Sequence, residues 1–228
     1  MKFLSQIQSV SLREQVVEQV RSAIIEGRLK PGDHITEVIL TEQLGVSRTP
    51  VREALILLER EGLVMFSPNR GAFVRAFQED DIEDIFSLRT MLENFAAELC
   101  IHDLSDDDLA RLEVMIDQQR QAIRQQDVRT ARSLDMEFHR ALIHAGGNRL
   151  LVRSWEEIVA QFALLLYLRA SALPEFDESQ AIRDHCAILE GYQARDLAAV
   201  QETNRYINQQ VAEDCRRALR LLEEQTPV

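Results

Sequence analysis

Residues 37 to 75 hold, in order, a short apolar segment, the turn Leu44-Gly45-Val46-Ser47, a run carrying Arg48 and Arg52, and Ser67-Pro68-Asn69-Arg70-Gly71 between two apolar tracts. Few folds accommodate that order. Gly45 can take the positive φ of a tight inter-helix turn. Ser47 is placed to cap the next helix through its hydroxyl, and Pro50 falls in that helix's first turn, where a missing N–H is tolerated. Val51, Ala54, Leu55 and Leu58 recur at helical spacing and predict a packed face. Arg48 and Arg52 lie one turn apart and share another face. Leu63-Val64-Met65-Phe66 and Ala72-Phe73-Val74 predict two short strands around the Pro68 to Gly71 turn, with Asn69 and Arg70 presented at its tip. The whole order reads as a winged helix-turn-helix; a solvated arginine helix beside a surface hairpin is the alternative. Guanidinium groups on such a helix can read guanine in a major groove, and Ser47 and Thr49 are placed for phosphate.

Upstream, Leu12, Val16, Val20 and Ile24 recur every four residues, and Gly27 to Gly32 ends that helix with glycine and proline. A third helix therefore covers the pair. At this point the chain resembles the GntR family of bacterial repressors. The resemblance spans about residues 10 to 76. It rests on Ile25-Glu26-Gly27-Arg28-Leu29-Lys30-Pro31-Gly32, on Leu44 to Leu55, on Gly62-Leu63 and on Asn69-Arg70-Gly71. It implies that Ser47, Arg48, Thr49, Arg52 and the wing glycine Gly71 contact operator DNA, with Asn69 and Arg70 beside them on the wing.

Length and charge agree with two domains, residues 1–76 and 77–228, since 228 residues exceed a usual single domain. The first 76 residues hold ten Lys and Arg against nine Asp and Glu, whereas the remainder holds sixteen against twenty-nine. The net −12 is thus carried by the second domain and leaves DNA binding open to the first. A near-neutral head binds weakly alone, so a homodimer on a palindromic operator is expected. Cys100, Cys186 and Cys215 show no CxxC pairing, which suits a reducing cytoplasm. The segment Met1 to Gln6 has no apolar core of signal-peptide length, and no apolar run approaches a membrane span; the longest, Ile158 to Leu168, is interrupted by Gln161.

From Glu79 onward the pattern is helical, predicting six helices over about 79–102, 105–126, 128–145, 148–171, 177–194 and 196–224. Breaks fall at Ser105, Gln126-Asp127, Gly146-Gly147, Pro174 and Arg195-Asp196. The expected fold is mainly α, a winged helix-turn-helix followed by an antiparallel all-α bundle. Within the bundle, Asp135 and His139 stack a carboxylate and an imidazole on one helical face. A structural hydrogen bond is the commoner explanation of such a pair.

Residues 79 to 224 are similar to the helical FCD domain of the FadR subfamily within GntR, through Leu88 to Glu93, Asp135 to His139, Gly147-Asn148 and His185 to Leu189. The resemblance implies a divalent metal on Asp135, His139 and His185, with one further histidine from the last helix. Zn²⁺, Ni²⁺ and Mn²⁺ all suit such nitrogen and oxygen donors. The chain departs from the pattern at that fourth ligand: Ile207 stands where the histidine is expected, and Asn204, one turn earlier, is a weak substitute. Arg89 is the family's match for the cationic side chain that holds a small carboxylate effector, and an intrahelical pair with Glu93 explains it nearly as well. Arg132, Tyr167 and Arg169 are lesser cavity candidates. His144 is read as a polar surface or loop contact, and His34 and His102 as structural.

The chain is therefore expected to be a regulator, not an enzyme: a repressor released from its operator when a small carboxylate enters the bundle. Two alternatives stand beside it. The bundle is only a dimerisation module, with the missing histidine in its favour; or it is an all-α metalloenzyme, against which no general base is placed by any motif.

Overall fold

The computed structural model describes residues 11–68, 70–173 and 177–224. Asn69 and Pro174 lie outside the described residues, as does the segment Met1 to Gln6. The chain divides into two compact units, Met1–Ala76 and Phe77–Val228.

The first unit runs α1 (Leu12–Ile25), β1 (His34–Ile35), α2 (Glu37–Leu44), α3 (Arg48–Arg60), β2 (Val64–Ser67) and β3 (Gly71–Val74). Ser11 and Glu14 form a reciprocal capping box that starts α1. Thr36 caps α2, and Gly45 ends it at φ 66°, a left-handed position that favours glycine. The expected cap from Ser47 is not made. Ser47 holds the N-cap position of α3 with extended backbone, but its side chain accepts no capping hydrogen bond. Its hydroxyl is exposed instead. Val51, Ala54, Leu55 and Leu58 bury the inner face of α3 against α1, where Val16, Val17, Val20 and Ile24 meet them. Leu12, expected in that row, is 49 % exposed, because the buried face of α1 takes Val17 instead. Arg21 on α1 donates two hydrogen bonds to Glu61, at 2.9 and 2.6 Å, and clamps the end of α3.

The wing is a three-stranded antiparallel sheet in the order β1-β3-β2. Two of its strands are the expected hairpin; β1, only two residues long, carries no alternation by which sequence could reveal it. His34 pairs across to Phe73 and stacks on its ring, with centroids 4.8 Å apart.

The second unit is an all-helical bundle of α4 (Glu79–Cys100), α5 (Asp106–Arg124), α6 (Val128–Ala145), α7 (Arg149–Ala172), α8 (Gln180–Gln193) and α9 (Leu197–Glu224). These six helices differ from the expected spans by up to three residues at each end. Ser105 and Asp108 form a capping box for α5, Asp127 caps α6, and the Asn148 side chain accepts from Leu150 and Leu151 at the start of α7. Turns at Gln126 and Arg195 adopt positive φ, 58° and 55°. Arg195 donates to the carbonyls of Ile101 and Leu104, tying the α8–α9 turn to the α4–α5 turn. Ala97, Ile101, Phe138, Leu142, Ile188 and Tyr192 belong to one apolar core.

Gly191 shows how tightly α8 meets α9. A Cβ on Gly191 would sit 2.7 Å from Val200 Cγ2 and 3.4 Å from the Val200 backbone nitrogen. Gly191→Ala is expected to destabilise the bundle by about 1 to 3 kcal/mol by overpacking, although alanine is the better helix former. Adding Val200→Ala should recover part of that loss. Urea unfolding of the two variants checks this, and a Gly191→Ala protein as stable as wild type would overturn the packing argument.

Candidate functional site

On α3 the residues Arg48, Thr49 and Arg52 are exposed beside Ser47, and Arg70 and Gly71 are exposed on the wing. Arg52 does not float free: its Nε lies 2.7 and 2.8 Å from the two carboxylate oxygens of Glu37 on α2. That bond and the charge of Glu37 raise the pKa of Arg52 and orient its guanidinium. Arg70 lies 5.4 Å from the centroid of the Phe73 ring. Gly71 sits at φ 92°, where a larger residue is strained, and a Cβ there would approach His34 Nε2 to 2.8 Å, so the His34 ring would have to shift.

The bundle brings Asp135 and His139 of α6 to His185 of α8. One ligand atom from each lies within 4.8 Å of the others, and the three residues are nearly excluded from solvent. His139 Nε2 is 3.2 Å from His185 Nε2, which is 3.3 Å from Asp135 Oδ1. The outward nitrogens are already engaged. His139 Nδ1 lies 2.9 Å from Glu93 Oε1, and His185 Nδ1 lies 2.9 Å from Gln119 Oε1. With the proton on Nδ1 of each ring, both of these oxygen atoms accept it. In that tautomer two Nε2 lone pairs and a carboxylate oxygen converge.

A shared proton is the other way to relieve that convergence, and electrostatics oppose it at His139. Burial and the nearby Arg89 push its pKa down against the pull of Glu93. The donor set therefore fits a divalent cation of the Zn²⁺, Ni²⁺ or Mn²⁺ type, with outer partners that fix both rings. Asn204 is not a fourth donor in this geometry. It lies one turn from Ile207 but turns its amide to Asn94 Oδ1, 3.1 Å away, whereas Ile207 lines the cavity.

That cavity has a volume of about 290 Å³. Arg89 lines it and is also paired with Glu93. Its Nε donates to Glu93 Oε1 at 2.8 Å, and its guanidinium stacks 3.6 Å from the centroid of Phe162. Arg169 joins it, 7 % exposed, with a pKa lowered by burial. Arg132 is held by Glu178 at 2.6 Å, and the exposed His144 lies 3.9 Å from Glu156. Glu93 binds three partners, Arg89, His139 and the Asn208 amide, the last at 2.8 Å. Burial raises its pKa, but Arg89 and His139 outweigh this and hold the carboxyl at about 2. Sequence reasoning read Glu93 only as the partner of Arg89 and passed over Gln119, which lies 66 residues from His185 and carries no local pattern.

A winged helix-turn-helix unit followed by an all-helical unit defines a class of one-chain transcriptional regulators. The chain belongs to the GntR family of bacterial regulatory proteins, which matches residues 12–74, and its second unit is an FCD domain, matched over residues 84–210. It is 28 % identical to the HTH-type transcriptional regulator YdhC of Bacillus subtilis (strain 168), over 92 % of each chain. It is 26 % identical to the HTH-type transcriptional repressor RspR of Escherichia coli (strain K12), over 90 % of this chain and 89 % of that one. The solved structure of McbR/YncC from E. coli superposes with a TM-score of 0.76 at 25 % identity, covering 96 % of this chain and 100 % of the other. These relatives are transcription regulators, and among the described residues no helix is long and apolar enough to cross a membrane.

The Arg89–Glu93 pair gives a measurable expectation. Glu93→Ala leaves a guanidinium 3 % exposed without its counter-charge, and is expected to cost about 3 to 5 kcal/mol. The single tryptophan, Trp155, lies in the same neighbourhood, 5.7 Å from Arg89, so fluorescence-monitored denaturation reads the loss directly. A loss below about 1 kcal/mol would mean that the pair is hydrated like a surface ion pair.

Proposed function

We propose that this chain is a homodimeric repressor, acting in the cytoplasm, whose grip on a palindromic operator is controlled by a small carboxylate bound in the bundle cavity. The observation that carries the effector reading is the convergence of Asp135, His139 and His185 beside two buried arginines. A divalent cation held by these three residues would supply open coordination positions to a carboxylate oxygen. Arg89 and Arg169 then offer charge-assisted hydrogen bonds to the same group, and the stack of Arg89 on Phe162 and its bond to Glu93 keep its guanidinium in place.

For DNA, Arg48 and Arg52 project from α3 toward base edges, Ser47 and Thr49 meet phosphate, and Arg70 and Gly71 bring the wing to the backbone. Dimerisation is supported by α4. Leu88, Met91, Phe95 and Leu99 stand 39 %, 69 %, 42 % and 37 % exposed, a stripe at the spacing by which helices pair. We assign that stripe to a second copy of this chain.

Two experiments test the proposal. Arg52→Ala is expected to lower affinity for a duplex selected from random sequence by about 1 to 3 kcal/mol with helical content unchanged. The wild-type isotherm should saturate at two chains per duplex. Unchanged affinity would remove Arg52 from the reading surface, and one chain per duplex would overturn the dimer. Separately, elemental mass spectrometry of untagged protein should find about one divalent metal per chain, and His139→Ala should abolish it. The dimerisation-only alternative, which Ile207 at the cavity wall favours, predicts no metal even after resupply.

A further inference from the structure

The cavity's charges do not match a purely anionic ligand. Its wall carries two guanidiniums, Arg89 and Arg169, but three carboxylates, Asp135, Asp184 and Asp214. Glu93, directly behind Arg89, adds a fourth. A divalent cation on the Asp135, His139 and His185 cluster brings this assembly only to neutrality. A dicarboxylate would then leave two uncompensated negative charges in a partly enclosed site, where unpaired charge is costly. A zwitterion leaves the balance unchanged.

The acids come from three helices, Asp135 from α6, Asp184 from α8 and Asp214 from α9. Ile207, Gln210 or Val211, and Asp214 follow one another at successive turns of α9, and Asp184 precedes His185 on α8. Asp184 and Asp214 are half-buried and belong to neither histidine's hydrogen-bond system. Arg169 interacts electrostatically with both Asp135 and Asp214, and Asp184 accepts from the Gln180 amide at 2.7 Å. The lining also carries the apolar side chains of Leu166, Ile188, Ile207 and Val211. A volume of about 290 Å³ lies at the small end of ligand cavities.

We propose that the effector is an aliphatic α-amino acid. Its carboxylate faces the histidine cluster and the arginines, its ammonium faces Asp184 and Asp214, and its side chain lies on the Leu166, Ile188 and Ile207 wall. This inference rests on the reading of the cavity as a carboxylate site and narrows it.

The test is calorimetric titration of the full chain, loaded with Zn²⁺, against three sets of ligands. These are aliphatic α-amino acids from alanine to leucine, the matching 2-hydroxy and deaminated acids, and four- and five-carbon dicarboxylates. At least one amino acid is expected to bind about tenfold or more tightly than its deaminated counterpart, the worth of one charge-assisted ammonium–carboxylate contact. Asp214→Asn should reduce that preference about tenfold. Asp184→Asn serves as an independent second variant on the other helix. Tighter binding of hydroxy acids or dicarboxylates than of amino acids would overturn the zwitterion proposal and keep the carboxylate site. Binding by no ligand in any of the three sets would overturn both.

Discussion

The bundle is organised around one buried carboxylate. Glu93 on α4 accepts from Arg89 on its own helix, meets His139 on α6 and takes the amide of Asn208 on α9. No apolar contact could perform that task, because each partner needs an oxygen at a fixed place and direction. A buried negative charge would ordinarily be expelled as the neutral acid. Here the guanidinium and the imidazole keep it ionised, at a pKa of about 2. The consequence reaches the ligand cluster: the proton held on His139 Nδ1 by Glu93 is what leaves Nε2 free to act as a donor. Gln119 does the same for His185 from α5, so four helices share in aiming two imidazoles.

This organisation explains what could and could not be read from residue order alone. Helix spans were legible because the apolar period and caps such as Ser105, Asp127 and Asn148 are local signals. The winged unit was legible for the same reason, except for β1, whose two residues are recruited by pairing with β3. Arg89 posed a choice between an ion pair and a cavity group, and the choice dissolves in three dimensions, since one face of its guanidinium stacks on Phe162 while its Nε reaches Glu93. Asn204 differs for a geometric reason. It precedes Ile207 by three residues, and the rotation this implies turns it to Asn94 on α4 instead of into the cavity. Gln119 gave no signal, because an acceptor 66 residues from its histidine obeys no spacing rule.

The helix α4 carries two kinds of information on different faces. Inward it holds Arg89 and Glu93; outward it holds the Leu88, Met91, Phe95 and Leu99 stripe. Only residues 75–78 separate it from β3. In the proposed regulator, a ligand that changes the engagement of Arg89 acts on the same helix that pairs with a second copy and that follows the wing in the chain. No separate transmitting element is required, and the coupling is limited to the ligand's differential affinity for the arrangements of α4.

On the DNA side, the ion pair between Arg52 and Glu37 shapes selectivity in the proposed reading. An exposed pair of this kind is worth little to stability, so its effect is to place the guanidinium. To read a guanine, Arg52 must exchange two carboxylate contacts for two base acceptors, a near-even trade when the base is right. At a wrong base the carboxylate is the better partner, and Arg52 stays with Glu37. The head carries almost no net charge, so phosphate attraction cannot override that choice by itself. In the proposed dimer, occupancy of a long DNA would therefore depend on two heads finding correct bases together, a physical argument for a two-fold operator.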